Sequence, residues 1–361
     1  MSNSAIVAAA GSGKTHELAL RALAVPLSER ALVATYTNNG ASELRSRIEN
    51  LKGFVPANIE IQPWLTFLLR HGARPYQGAL LNINEIDGLY LDSREVALKR
   101  KGWRPRQDNP RPYYLQAGRI YRDVLSDFVL HCNRETGGAV FRRLARIFQH
   151  MLLDEVQDMA GRDLDVIEET LRSPIEVTMV ADPRQRTYAT SQSRTNKASA
   201  GTNVQAWFER LERAGLLSIE RHAHSRRCVQ EVCDFADRLY PELPATESLA
   251  CHGEVELQGV HLVKSTQIAD YLHANDPQLL VWDKRSETYG RSARNYGAVK
   301  GLTFDRVLIQ PTSSIAAYLQ KGKPLEGVTR AKFYVAVTRA RYSVGIVLDR
   351  PGGCGLSYWS P

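Results

Sequence analysis

The sequence predicts a two-domain α/β protein built on parallel sheets. Three observations carry that prediction. A strand, a glycine turn and a helix open the chain. The strand–loop–helix unit then recurs in both halves. Apolar strands repeatedly end in polar, reactive residues, as parallel strands do at the carboxyl edge of an open sheet. At 361 residues the chain is long enough for two cores, and a 43% apolar content can fill them.

Ser4 to Ala10 reads as a short buried strand, and Gly11-Ser12-Gly13-Lys14-Thr15 follows it directly. A helix begins with His16 and Glu17. A strand, a glycine turn and Lys-Thr at a helix start form a phosphate-binding loop. Backbone N–H groups from Ala10 to Gly13 and the helix dipole favour an anion there. Lys14 would reach the β- and γ-phosphates of a nucleotide, and Thr15 would hold Mg²⁺ through its hydroxyl. The full pattern has glycine at position 8, where this chain has Ala8. On the loop alone, a glycine turn with a chance Lys-Thr stays open as the other reading.

A second strand, Ala31 to Tyr36, ends in Thr37-Asn38-Asn39-Gly40, and a helix runs from Ala41 to Glu49. Tyr36 at that strand end can stack a base or pack on its neighbouring helix. Ile59 to Gln62 predicts a third strand. Phe67, Leu68 and Leu69 after it read as core, and Trp64, next to Pro63, as a surface aromatic for nucleic acid.

Residues from about 75 to 145 break the rhythm and read as an inserted, mainly helical subdomain. Arg94, Lys99, Arg100, Lys101, Arg104 and Arg106 precede Tyr113, Tyr114 and Tyr121. Cations interleaved with rings suit a single strand; the same run suits a solvated basic loop. The net charge of +8 leans toward a nucleic-acid partner without deciding the matter.

Gln149 to Leu153 is an apolar strand ending in Asp154-Glu155. Asp154 would coordinate Mg²⁺ and Glu155 would polarise the attacking water. Ile175 to Asp182 delivers Gln185 and Tyr188 to the same edge, where a glutamine can bond both water and γ-phosphate. Residues 189–206 are polar and small and read as a loop. A helix from Trp207 to Leu216 closes a first domain of residues 1–215, leaving 216–361 as the second.

The second half carries Arg226-Arg227-Cys228 before a helix at Val229–Leu239. Strands at Glu254–Leu257 and Leu279–Trp282 flank a helix from Thr266 to Ala274. Lys300-Gly301-Leu302-Thr303-Phe304 leads into a strand at Arg306–Ile309, and Tyr334 to Arg341 into another at Ser343–Leu348. The 5 cysteines form no CxxC pair, which fits a reducing compartment. His222, His224, Cys228 and Cys233 match no standard zinc spacing. No apolar run is long enough for a membrane span and the chain opens on a strand rather than a cleavable signal, so a cytoplasmic protein is expected.

These residues resemble a family. Ala8 to Thr15 resembles the first motif of superfamily 1 helicases of the UvrD/PcrA/Rep type, where alanine commonly opens the loop. Thr35-Tyr36-Thr37-Asn38 looks like the motif that contacts single-stranded DNA, and Asp154-Glu155-Val156-Gln157-Asp158 like the DExQD box. Ala181-Asp182 with Gln185 and Tyr188, the Arg227-Cys228 segment, Val299 to Phe304 (KGLxF) and Tyr334 to Ala340 (YVAxTRA) follow in family order. The resemblance implies two RecA-like P-loop NTPase domains and an ATP- and Mg²⁺-dependent helicase or translocase moving 3′ to 5′ on single-stranded DNA or a tailed duplex. It implies ATP contacts from Ala10 to Thr15 and at Gly301 and Thr303. Lys14 takes phosphate, Thr15 and Asp154 take Mg²⁺, and Glu155 is the base. Gln185 reads the γ-phosphate, Arg227 approaches it from the second domain, and Arg339 is the arginine finger. It implies DNA contacts at Tyr36, Thr37, Asn38, Trp64 and Tyr188. Hydrolysis at the domain interface would drive movement on DNA.

The departures are specific. The glutamine that reads adenine in the family is not found in its usual place upstream of the loop. Thr190 and Ser191 replace an aromatic and an arginine, Thr303 replaces the KGLEF glutamate, and Gly297 a histidine. Pro63-Trp64-Leu65 stands where the family has Thr-Phe-His. Only Asp283 to Arg294 fill the place of a subdomain that contacts duplex DNA in larger relatives. A translocase that needs a partner to unwind, or a nucleic-acid-sensing ATPase controlling a partner nuclease, is the alternative expectation.

Overall fold

β1 (Ser4–Ala8) is covered on both faces, which is why it reads as an unbroken run of small and apolar residues. It belongs to a computed structural model that describes residues 3–92, 94, 110–186, 203–251, 253 and 255–361. The chain divides into two compact units. One is drawn from Met1–Val7, Lys14–Pro183 and Tyr188–Glu220; the other from Ala8–Gly13, Arg184–Thr187 and Arg221–Pro361.

In the first unit α1 (Lys14–Ala24) follows the glycine turn, then β2 (Ala31–Thr35), α2 (Asn38–Lys52), β3 (Ile59–Pro63) and the one-turn α3 (Trp64–Phe67). Thr37 caps α2 by accepting the Gly40 N–H at 3.0 Å. Left-handed Gly53 ends α2, its N–H returning to the Glu49 carbonyl. The next elements are β4 (Gly88–Tyr90), α4 (Pro110–Tyr114), β5 (Leu115–Gln116) and β6 (Arg119–Tyr121). After them come α5 (Leu125–Glu135), α6 (Ala139–Ile147), β7 (His150–Leu153), α7 (Arg162–Leu171), β8 (Glu176–Ala181), α8 (Val204–Arg213) and β9 (Ser218–His222). The main sheet has the order β3-β2-β7-β8-β1-β9. The pairings of β1, β2, β3, β7 and β8 are parallel, so those strands end on one edge.

The inserted region is mainly helical, with a small sheet of order β4-β6-β5. It does not stand apart. Phe128 and Val129 of α5 and Phe141 and Leu144 of α6 share one core with Trp64, Phe67 and Met151. Tyr114 and Tyr121, whose segment suited either a single-strand face or a solvated basic loop, are each only 3% exposed and belong to that core. Tyr113 is half-buried and carries the Arg94 guanidinium 3.8 Å above its ring. The cations from Lys99 to Arg106 lie outside the described residues, as does most of the polar stretch 189–206.

Trp64 is a correction to the surface reading. It is 0% exposed, and its indole N–H donates to Asp163 Oδ1 at 3.0 Å. Asp163 accepts the Ser126 hydroxyl as well. A buried indole needs an acceptor, and Asp163 supplies one from α7, far along the chain.

The second unit contains β10 (His224–Ser225), α9 (Gln230–Asp237), β11 (Glu247–Ser248), β12 (Gly259–Val263), α10 (Ile268–Asn275) and β13 (Gln278–Val281). It continues with β14 (Ala293–Asn295), β15 (Phe304–Ile309), α11 (Ser313–Lys321), α12 (Gly327–Val337) and β16 (Ala340–Val347). Its own sheet is parallel in every pairing, with the order β12-β16-β15-β13-β14. Val232 and Phe235 of α9, Phe333 of α12 and Ile309 and Val344 of the sheet fill its core. The first strand of this sheet begins at Gly259, not near Glu254 as the sequence suggested. The strand that forms is the one whose residues pair with Ser343–Val347. The two units are α/β folds, each built on a sheet of parallel strands.

Trp64→Ala should destabilise the first unit by about 3–5 kcal/mol, through a cavity and the loss of the indole bond to Asp163. Urea unfolding followed by far-UV circular dichroism measures this; a loss below about 1 kcal/mol contradicts the buried assignment.

Candidate active site

Lys14 and Thr15 are the first residues of α1, so both side chains leave the helix at its positive end. Gly11 and Gly13, at φ 77° and 92°, make the left-handed turn before it. Lys14 Nζ lies 3.5 Å from Asp182 Oδ2, a fully covered carboxylate just beyond β8. Thr15 Oγ1 donates to Asp154 Oδ2 at 3.3 Å, just beyond β7. Because β7 and β8 are parallel neighbours, their two terminal aspartates come out side by side.

Glu155 is left-handed, at φ 56° and ψ 40°, which turns the chain sharply after the strand. Its N–H donates to Asp154 Oδ1 at 2.9 Å. Gln157 was quoted within the acidic motif but given no task. It donates from Nε2 to Glu155 and accepts the Asp182 N–H on Oε1 at 3.1 Å. Gln157 is 0% exposed, so one buried amide fixes the Glu155 carboxylate and the end of the next strand together. Burial, then the Glu155 charge, pushes the Asp154 carboxyl up to about 7, against a partial offset from Lys14.

In the second unit Arg339, at the end of α12, is 1% exposed. Its Nε donates to the Val335 carbonyl at 3.1 Å and Nη1 to the Leu302 carbonyl at 3.2 Å. Its Nη2 donates to Gln185 Oε1 at 3.4 Å and Thr338 Oγ1 at 3.5 Å. Gln185 and Arg339 are thus in contact. Left-handed Gly301 and half-buried Thr303 flank Leu302, whose carbonyl takes the guanidinium. Arg227 Nη1 donates to the Thr338 carbonyl at 3.0 Å, which joins both arginines to the turn after α12. Arg226 N donates to the Gly11 carbonyl at 2.9 Å, and Ala10 N to the Tyr334 hydroxyl at 3.4 Å. Ser225, which no short motif announced, and Tyr334, quoted in the YVAxTRA motif but given no task, are contacts of the loop.

The residues present fit a Mg²⁺–nucleotide. The Thr15 hydroxyl and the Asp154 carboxylate are adjacent hard oxygen donors, which suit Mg²⁺. Ser12 Oγ, in the glycine turn, is buried with no hydrogen-bond partner among the described residues. Such an orphan is unusual and suits a loop whose partners are phosphate oxygens.

The nucleic-acid candidates divide. Tyr36 is half-buried at the end of β2, and Thr37 and Asn38 are exposed at the start of α2. The Thr37 hydroxyl is engaged as the helix cap. Trp64 is buried and cannot present its ring, and Tyr188 lies outside the described residues.

Residues 1–83 match the family model of the UvrD/REP helicase N-terminal domain. Over this segment the chain is similar to that domain. It contains the phosphate loop, the Tyr36 strand end and Trp64 of the candidate set. No curated protein matches the chain. Among solved structures it is similar to the arterivirus nonstructural protein 10 helicase, at 16% identity and TM-score 0.47, over 96% of this chain and 59% of that one. It is similar to the same arterivirus helicase in complex with DNA, at 17% identity and TM-score 0.46, over 96% and 61%. The PRRSV helicase matches at 15% identity and TM-score 0.47, over 96% and 52%. The chain therefore spans little more than half the length of these structures.

Without Mg²⁺ or nucleotide, native Asp154 keeps its proton to about 7, whereas the unfolded chain releases it near 3.8. The native state therefore binds more protons between those values, and stability falls as pH rises through that window. Asp154→Asn should flatten this part of the profile. Denaturation midpoints against pH in a chelator test it; an unchanged slope in the variant excludes Asp154 as the titrating group.

Proposed function

We propose that the protein is an ATP-dependent DNA translocase or helicase of the UvrD-like type. The observation that carries the reading is the pairing of Lys14 and Thr15 with the carboxylates ending two adjacent parallel strands. Such an arrangement suits phosphoryl transfer to water, where positioning and charge stabilisation supply most of the rate. Bound Mg²⁺ would neutralise charge on the phosphate oxygens. Thr15 and Asp154 would hold it.

In this reading the glycine turn and Lys14 bind the phosphates. Glu155, oriented by Gln157, takes the proton of the attacking water. Gln185 contacts water and γ-phosphate, and Arg227 and Arg339 stabilise the charge that develops on transfer. Loss of the γ-phosphate releases the arginines from the nucleotide. Tyr36 stacks a base, and Asn38 at the start of α2 contacts the DNA backbone. Movement 3′ to 5′ belongs to the same proposal.

A second reading, a nucleic-acid-sensing ATPase that serves a partner nuclease, is favoured by one observation. The link from β13 to β14 is a short turn, in which Asp283 Oδ1 accepts the Arg285 N–H at 2.8 Å. Such a link leaves no place for a duplex-engaging subdomain. Strand displacement on tailed duplexes, with and without a partner, separates the two readings.

Lys14→Ala and Glu155→Gln should each lower DNA-stimulated ATP turnover by at least about 10²-fold, measured as phosphate release. Single-strand binding should survive in Glu155→Gln; normal turnover in that variant removes Glu155 from the base role. Tyr36→Ala should weaken single-strand affinity by about 1–3 kcal/mol in fluorescence anisotropy. Equal affinity in the variant eliminates stacking at Tyr36.

A further inference from the structure

Arg184 has no part in the mechanism above, yet it is 5% exposed. Burying a guanidinium is costly unless its bonds are made, so its surroundings carry information. Its Nη2 donates to the Pro244 carbonyl at 2.5 Å and lies 3.8 Å from Asp237 Oδ1. Asp237 in turn accepts the Thr246 N–H at 2.5 Å and the Thr246 hydroxyl at 3.0 Å. The carboxylate and the carbonyl that receive Arg184 are therefore locked to each other through the 244–246 turn. The Arg184 backbone is held too, because Tyr240 donates its hydroxyl to the Arg184 carbonyl at 3.0 Å. Tyr240 is itself buried, packed edge-on against Tyr334 at 5.5 Å and covered by the Arg330 guanidinium at 3.7 Å. The Arg184 guanidinium lies 6.0 Å from the Tyr334 ring. Every group in this network lies in the second unit, which is also where the Arg184–Thr187 segment belongs.

The next residue is Gln185, which accepts from Arg339. We propose that Arg184 is a positioning residue: gripped by Asp237, Pro244 and Tyr240, it fixes Gln185 to the second unit so that the glutamine and Arg339 meet the γ-phosphate as one body. This rests on the ATPase reading above. A glutamine free of that anchor still meets a nucleotide, but it is no longer held in register with the arginine. The effect falls on the chemical step, and nucleotide binding is spared.

Steady-state ATPase and binding of a non-hydrolysable ATP analogue test this on the full chain. Arg184→Ala and Tyr240→Phe should each lower kcat by about tenfold or more, with analogue Kd unchanged within about twofold. Arg184→Lys should not rescue Arg184→Ala, since an ammonium lacks the fork that reaches Pro244 and Asp237 together. Arg184→Ala combined with Gln185→Ala should be no slower than Gln185→Ala alone, because the first acts through the second. Wild-type kcat in Tyr240→Phe, an additive double variant, or a loss confined to melting temperature and analogue Kd each overturns the proposal. Should Arg184→Ala fail to fold, Tyr240→Phe decides by itself, since it deletes one hydroxyl. A wild-type protein without ATP turnover sinks the functional reading instead.

Discussion

No side chain fits at position 11. A Cβ there would lie 2.5 Å from Ser225 Oγ and 2.7 Å from Arg227 Cβ, and the left-handed φ of 77° already favours glycine. The phosphate loop is thus pressed directly onto the segment that carries Arg227. Ser225 is 0% exposed and fixes that segment, accepting the Arg227 and Cys228 N–H groups on Oγ at 3.3 Å each. Any bulk at residue 11 displaces either the glycine turn or Arg227. The candidate chemistry needs both, so it depends on this contact before it depends on any charge.

The charges are stored in two different ways. Lys14 rests against a carboxylate, Asp182. Arg339 is bonded to two carbonyls, a hydroxyl and an amide oxygen, all neutral. Dipoles satisfy a buried guanidinium without cancelling its charge, so its field remains available to an anion. The acidic side has the complementary device. Asp154 holds its proton toward neutral pH because it is buried beside Glu155. Asp154 therefore avoids carrying a buried negative charge beside that of Glu155.

Much of this was legible in the sequence. Lys14, Thr15, Asp154 and Glu155 sit where parallel strands end, and strand ends can be read from short apolar runs. Trp64 was not legible, because its burial depends on an acceptor, Asp163, supplied by a distant helix. The burial of Tyr114 and Tyr121 was not legible for a similar reason. Rings beside cations look the same whether they face solvent or, as here, the core. The first strand of the second sheet was placed early because Glu254–Leu257 alternates as well as any strand. Pairing with β16 settles the matter, and pairing is a long-range property. Gln157 stood in plain view, but its two bonds reach Glu155 and Asp182, and only the fold brings those ends together.

The charged groups of the candidate machinery find partners within their own unit. Lys14 with Asp182 and Glu155 with Gln157 lie in the first unit; Arg339 with Gln185 and Arg227 with the Thr338 carbonyl lie in the second. Each unit can therefore fold without leaving a buried charge unanswered. Under the proposed function a nucleotide competes for groups already in use. A typical internal hydrogen bond contributes only about 0.5–1.5 kcal/mol net, whereas bonds from cations to phosphate are roughly twice as strong. The Lys14–Asp182 and Arg339–Gln185 distances, 3.5 and 3.4 Å, are long for such pairs. These contacts are strong enough to orient the side chains and weak enough for an anionic phosphate to displace.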